Sequence, residues 1–311
     1  MFRPTIRTVA AAALVATLTV AVAACGSSPG ATQGQNGGRS ATTFTIGAIP
    51  DQDPQVLQRL YGVVSEYLGK ALGVEVEYVP VTDYTASVAA FRRGDLQMVF
   101  FGGLTGVQAR LQVPGAQPIA QRDIDADFHS VFVAGAASGI ATISDVSGLS
   151  ALAGHTFTLG SQTSTSGSLM PQYFLSEAGL QLDDFTGEVG YSGSHDATIK
   201  LVQAGTYQVG ALNAAVWDGR VKDGKVDTNQ VREVFRTPAY HDYHWLIRPD
   251  ADEQFGDGFT QRAKDALLGL DGSDEQERQI LELFQAGKFI ETSAENYDQI
   301  ETIGRAIGLI K

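Results

Sequence analysis

The sequence predicts an α/β protein of two lobes, each a mixed, mostly parallel sheet flanked by helices, joined by two crossing segments. Three observations predict it. Strand-like and helix-like stretches alternate along the chain, as they do where parallel sheets are covered by helices. The pattern also occurs twice: "FTIG" at 44–47 returns as "FTLG" at 157–160, and "FRRGDLQMVF" at 91–100 is echoed by "VQAGTYQVGA" at 202–211. The echoes keep register, since Gly47 to Gly94 spans 47 positions and Gly160 to Gly205 spans 45. Finally, about 270 residues follow Phe44, enough for two lobes.

Residues 1–25 stand outside this fold and read as an export leader. Arg3 and Arg7 open it, an uncharged run covers 8–24, and Cys25 closes it. Its end, "VAAC", resembles a lipobox, which makes Cys25 the lipid-bearing first residue of the exported chain; an ordinary secretory signal cut nearby is the alternative. Cys25 is the only cysteine, so the exported body has no disulfide and no cysteine metal site. Residues 26–42, rich in Gly, Ser and Gln, read as a flexible tether. A single lipid chain anchors weakly, so firm attachment needs more than one. Without Arg3 and Arg7 the formal charge moves from -13 to -15, a balance that repels nucleic acid. No later apolar stretch is long enough to cross a bilayer.

In the first half the expected strands are 44–48, 74–81 and 98–101, with helices at 54–71 and 84–93. In the second half the strands are 156–160, 187–192 and 208–213, with helices at 166–178 and 196–204. Gly94 and Gly205 each end an amphipathic pattern, where glycine is favoured just past a helix. "FHSVFVAG" (128–135) leaves the first half and "YHWLIRPD" (243–250) returns to it, which assigns 43–134 and 243–311 to lobe 1 and 135–242 to lobe 2. "FTQRAKDALLGL" and "AENYDQIETIGRAIGLI" have helical spacing and would pack back on the first half. "GSDEQERQ" (272–279) reads as a solvated helix face capped by Ser273.

Open α/β sheets bind ligands at the carboxyl ends of their strands. The repeat therefore nominates six loops: 49–54, 82–84, 101–105, 162–166, 192–195 and 213–217. The fourth holds Thr163, Ser164, Thr165 and Ser166 in a row at a strand-to-helix junction, followed by Gly167. Unpaired N–H groups at a helix start, with hydroxyl donors beside them, favour a small anion. A helix cap alone needs one hydroxyl rather than several. A serine nucleophile is the rival reading, with His195 the one available base, but no G-x-S-x-G elbow or S-x-x-K motif includes these serines. "TDY" (82–84) and "SGSHDA" (192–197) add Tyr84, Ser194 and His195, while Asp83 and Asp196 read as helix caps. None of the six loops carries Lys or Arg, so the anion would be held by neutral donors and selected by geometry. His241 and His244, read as lying on one strand, would point apart and not share a metal.

These residues resemble the substrate-binding lipoproteins of ABC importers for phosphonate, phosphite and related oxyanions, and most of all the branch labelled selenate-binding. The resemblance covers nearly all of the chain from Phe44 and is carried by "VPVTDY", "STSG", "YSGSHDA", "ALNAAVWD" and "TPAYHDYHW". It implies a periplasmic-binding fold that closes on its ligand and delivers it to a membrane permease. Carried onto matching positions, it implies that Tyr84, Ser164, Thr165, Ser166 and His195 hold the PO3 group. A further tyrosine of the family is replaced by Phe101, and an acid that binds an amino group is replaced by Ala215. Asn213 lies in the matching sixth loop, and Asp242 matches a second such acid after a one-residue shift. Trp217 and Tyr243 either fill the vacated space or pack. If Asp242 faces the oxyanion ionised it can only accept hydrogen bonds, which favours a solute bearing an acid proton and pulls against selenate.

The sequence thus predicts a non-enzymatic, monomeric, lipid-anchored receptor outside the cytoplasm. It needs no cofactor or metal, binds a small tetrahedral oxyanion and serves a permease. A secreted hydrolase using Ser164 or Ser166 with His195 is the alternative, and a sensor subunit of the same fold a third.

Overall fold

The computed structural model describes residues 43–311, so the expected leader, the tether and Cys25 lie outside the described residues. The chain opens with β1 (Phe44–Ala48), α1 (Pro54–Leu72), β2 (Val76–Tyr78), α2 (Tyr84–Arg93), β3 (Met98–Phe101), α3 (Gly103–Gln112) and β4 (Gln117–Arg122). It continues with β5 (Ser130–Gly135), β6 (Phe157–Leu159), α4 (Met170–Glu177), β7 (Gly190–Tyr191), α5 (His195–Gln203), β8 (Val209–Asn213), α6 (Ala214–Lys222) and β9 (Val231–Arg236). It closes with β10 (His244–Ile247), α7 (Ala251–Phe255), α8 (Phe259–Leu268), α9 (Glu275–Phe284), β11 (Phe289–Ile290) and α10 (Asp298–Ala306).

Local chemistry explains the boundaries. Asp53 starts α1 by accepting from Gln55 N with Pro54 in the first turn, and Gly73 stops it at φ 69. Between them Leu57, Leu60, Tyr61, Val64, Leu68 and Leu72 form one buried stripe. Asp83 caps α2 through Ala86 N, and Gly94 ends it in the left-handed region. In α5, by contrast, the cap is Ser194; Asp196, expected to cap, sits in the first turn and is drawn away by Arg220. Asp274 caps α9 in place of the expected Ser273, because its carboxylate reaches Glu277 N at 2.9 Å.

The strands form two mixed sheets. Lobe 1 has the order β11-β4-β10-β3-β1-β2, with β1 parallel to β2 and β3, and β10 antiparallel to β3 and β4. Lobe 2 has the order β7-β6-β8-β5-β9, with β6 parallel to β7 and β8, and β5 antiparallel to β8 and β9. Because β5 pairs entirely within the second sheet, the first crossing falls at Phe128 and His129, ahead of the boundary expected at 134. The two crossing segments are tied by one isolated bridge, in which Phe128 and Tyr240 exchange backbone hydrogen bonds of 2.9 Å in both directions. β10 then carries the chain back into the first sheet. No described helix is long and apolar enough to cross a membrane.

Candidate functional site

The six nominated loops meet between the sheets. Their junctions are direct hydrogen bonds: Leu104 N donates to Thr165 Oγ1 at 3.0 Å, His195 N to Asp51 O at 2.9 Å, and Asn213 N to His195 Nδ1 at 3.4 Å. Gly160 and Gly167 bring the hydroxyl turn onto the end of β6. Gly160 N donates to Gly167 O at 2.7 Å, and a Cβ on Gly160 would stand 3.2 Å from Gly167 Cα. Only glycine permits so close a backbone approach.

The hydroxyl run forms a single widened turn, Thr165–Leu169, ahead of α4. Such π-type turns in an otherwise α-helical stretch are frequent at functional sites. Ser164 caps the turn, its Oγ accepting from Gly167 N at 3.0 Å, so the hydroxyl proton remains free to donate. Thr165 Oγ1 and Asp242 Oδ1 lie side by side over Gly102, where a Cβ would meet them at 3.2 and 3.3 Å. Together they cap α3, since Asp242 Oδ1 accepts from Gly103 N at 2.9 Å while Thr165 serves Leu104 N.

Three polar atoms beside this turn are buried and make no hydrogen bond of good geometry: Tyr84 Oη, which has only the Ser164 hydroxyl near enough to oppose the rise in its pKa, Ser166 Oγ and Asp242 Oδ2. They come from α2, the hydroxyl turn and the second crossing segment, which means from both lobes. Burial raises the Tyr84 phenol far above its ordinary range, with Asp51 and Asp242 adding to the effect, so it stays protonated and can donate. Burial also raises Asp242 to about 7, against the opposing bond from Gly103 N. An unpaired buried polar atom is expensive, and three together mark a place shaped for an absent partner.

His195, wholly buried, is lowered to about 4 by desolvation and is therefore neutral at pH about 7. Its Nδ1 faces Asn213 N–H and its Nε2 lies 3.4 Å from Tyr243 Oη. This network assigns the ring proton to Nε2. Tyr243 Oη also accepts from Asn213 Nδ2 at 3.1 Å and donates to Asp51 Oδ2 at 2.8 Å. Burial raises Asp51 to about 6, moderated by the Tyr243 bond and by Arg122, whose guanidinium lies 4.9 Å over the Tyr243 ring. Asn213, meanwhile, caps α6 through Val216 N. To the neutral donors and Asp242 nominated from the sequence, the structure adds a second buried carboxylate close by, Asp51. Asp51 was in a nominated loop, but nothing in "IPDQDP" marks it as buried.

The structure separates other candidates from the chamber. Phe101 packs edge-on against Phe91 at 5.6 Å, and Trp217 belongs to the lobe 2 core with Val131, Leu212 and Val231. Tyr243 is part of the chamber wall, not simple packing. His241 and His244 do not point apart, since both rings lie against Tyr297, at 6.1 and 4.0 Å. Residue 241 precedes β10, so strand alternation does not govern it. Neither Ser164 nor Ser166 bonds to His195, whose nitrogens are taken by Asn213 and Tyr243. The pair required for a serine hydrolase is therefore not assembled.

Comparison with known proteins agrees with this geometry. Residues 46–297 match the family described as ABC transporter, phosphonate, periplasmic substrate-binding protein. The chain is 46% identical over 267 residues to a probable ABC transporter phosphite binding protein, PhnD1, of Prochlorococcus marinus (strain MIT 9301), covering 86% of this chain and 90% of that one. The solved structure of PhnD1 in complex with methylphosphonate superposes with a TM-score of 0.85, over 86% of this chain and 99% of that one. A binding protein component of an ABC phosphonate transporter from Pseudomonas aeruginosa, 16% identical, shares the fold with a TM-score of 0.73 over 84% and 85% of the two chains. The two mixed sheets, the bridge between crossing segments, the buried orphan donors and these matches lead to one statement: the chain belongs to the family of periplasmic substrate-binding proteins of phosphonate ABC transporters.

Proposed function

We propose that this receptor binds a small phosphorus oxyanion carrying an exchangeable proton, of the phosphite, methylphosphonate or phosphate class, and hands it to a membrane permease. The observation that carries the reading is the trio of unpartnered buried atoms, Tyr84 Oη, Ser166 Oγ and Asp242 Oδ2. Two are donors suited to oxyanion oxygens. The third belongs to a carboxyl group that shares one proton with the solute. Sulfate and selenate bring no proton at neutral pH, so they bind only when Asp242 supplies it. The name of the Prochlorococcus relative and its methylphosphonate complex support the same solute class. Ser164 and Thr165 complete the collar, with the neutral His195 ring beside them held by Asn213 and Tyr243. The protein acts without chemical turnover, and Cys25 carries the lipid that keeps it at the outer face of the membrane. Calorimetry of the full chain with phosphite, methylphosphonate, phosphate, sulfate and selenate tests the reading. Saturable binding of the first three is expected, and binding of none overturns it.

A further inference from the structure

The lobes also meet outside the chamber. Three consecutive residues of lobe 1 are gripped by lobe 2. Asp51 O accepts from His195 N at 2.9 Å, Gln52 Oε1 accepts from Arg220 Nη2 at 3.2 Å, and Asp53 N donates to Asp196 Oδ2 at 2.9 Å. Behind these contacts stands a bidentate ion pair within lobe 2. Arg220 Nε reaches Asp196 Oδ1 at 2.6 Å, and Nη2 reaches Oδ2 at 2.9 Å. The side chains of the pair are only 9% and 13% exposed.

The pair joins α5 to α6, both in lobe 2, so it does not depend on the other lobe. What the meeting of the lobes adds is a charge-assisted bond from Asp53 N–H and the Gln52 amide contact. No bond of the pair reaches Tyr84, Ser166 or Asp242. A contact made only in the closed state raises the apparent affinity for every solute by the same factor, because it increases the closed population. Asp196 also directly follows His195, so the chamber wall and this contact dock together at one helix start.

We propose that Asp196 and Arg220 form a closure latch, an affinity-determining pair that seizes residues 52 and 53 and sets the lifetime of the closed receptor without touching the solute. The inference rests on the receptor reading above. Two variants of the full chain test it. In the first, Asp196→Ala with Arg220→Met removes both charges, so that neither is left buried alone. In the second, Gln52→Ala alters lobe 1 only and leaves the pair intact. The double variant is expected to bind phosphite and methylphosphonate about tenfold more weakly, the equivalent of one charged hydrogen bond. Gln52→Ala is expected to cost a few-fold. In both, the ratio between the two solutes stays at the wild-type value and the loss appears as faster dissociation. Should the double variant fail to fold, Gln52→Ala decides. Wild-type affinities and dissociation rates in Gln52→Ala and in a folded double variant overturn the latch. A changed ratio between the solutes overturns it too, since the pair then contacts solute. Failure of the wild-type chain to bind either solute instead removes the receptor reading, and the latch with it.

Discussion

Replacing Asp242 with asparagine keeps the shape of the side chain and removes its acid. In the protein Asp242 is wholly buried, Oδ1 holds Gly103 N at 2.9 Å, and Oδ2 has no partner. If the bound state shares one proton between this carboxyl and the solute, the variant loses one charged hydrogen bond. That is worth about 1.5–3 kcal/mol, or roughly 10- to 150-fold in affinity for phosphite near neutral pH. The pH profile gives a second signature. Asp242 titrates at about 7, and phosphoryl groups lose their second proton at about pH 6. Above both values binding must take up a proton, so wild-type affinity falls about tenfold per pH unit; below both, one of two protons must leave and affinity falls again. Sulfate, which brings no proton, would bind evenly below about 7 and lose affinity above it. Calorimetry with phosphite at pH about 5.5, 7 and 8.5 distinguishes these cases. In Asp242→Asn the decline above about 7 disappears. Wild-type phosphite affinity in Asp242→Asn at neutral pH, or a profile unaltered by the substitution, refutes proton sharing.

Further expectations follow from the same geometry. Asp242 has its pKa raised on folding, so its contribution to stability is present below the unfolded value of 3.8 and is lost as pH rises through about 7. The solute-free wild type should therefore lose up to on the order of 4 kcal/mol across that window, and Asp242→Asn should melt higher than wild type at pH about 8. Ser166→Ala removes a hydroxyl with no partner, so melting of the solute-free chain should hold or rise while affinity falls by about 1–3 kcal/mol. Thr165→Val leaves Leu104 N–H without its acceptor and should weaken the bound solute by about 1–3 kcal/mol in calorimetry; no change removes Thr165 from the site. Gly160→Ala places a methyl 3.2 Å from the Gly167 backbone, which cannot yield as a flexible side chain would, and should cost about 1–3 kcal/mol in thermal melting.

Much of the fold was legible because the local signals are strong. Asp83 and Gly94 bracket α2 at its observed ends, and the apolar runs of β1 and β3 match the observed strands. β4 was not legible, since "QPIAQR" opens on Gln and Pro and pairs only because β10 and β11 flank it. The lobe boundary was misplaced because "FHSVFVAG" reads as a strand, and nothing local tells which sheet it joins. The hydroxyl turn could be read directly, as consecutive Ser and Thr at a strand-to-helix junction are unusual. Asp51 could not, and Asp242 was reached only through the family resemblance. Asp51 and Asp242 are ordinary loop residues in sequence, and their shifted titration comes from burial by segments distant in the chain.

Asp242 stands two residues beyond the Tyr240 bridge, with its backbone N–H on Asp125 O and its side chain on the start of α3, while Thr165 approaches from the other lobe. When the halves swing apart, water reaches this carboxyl and returns it towards the ordinary carboxylic-acid value of 3.8. It can then no longer retain a hydrogen ion in neutral surroundings. On the proposed reading the shared proton then leaves the carboxyl, with the departing solute or into water.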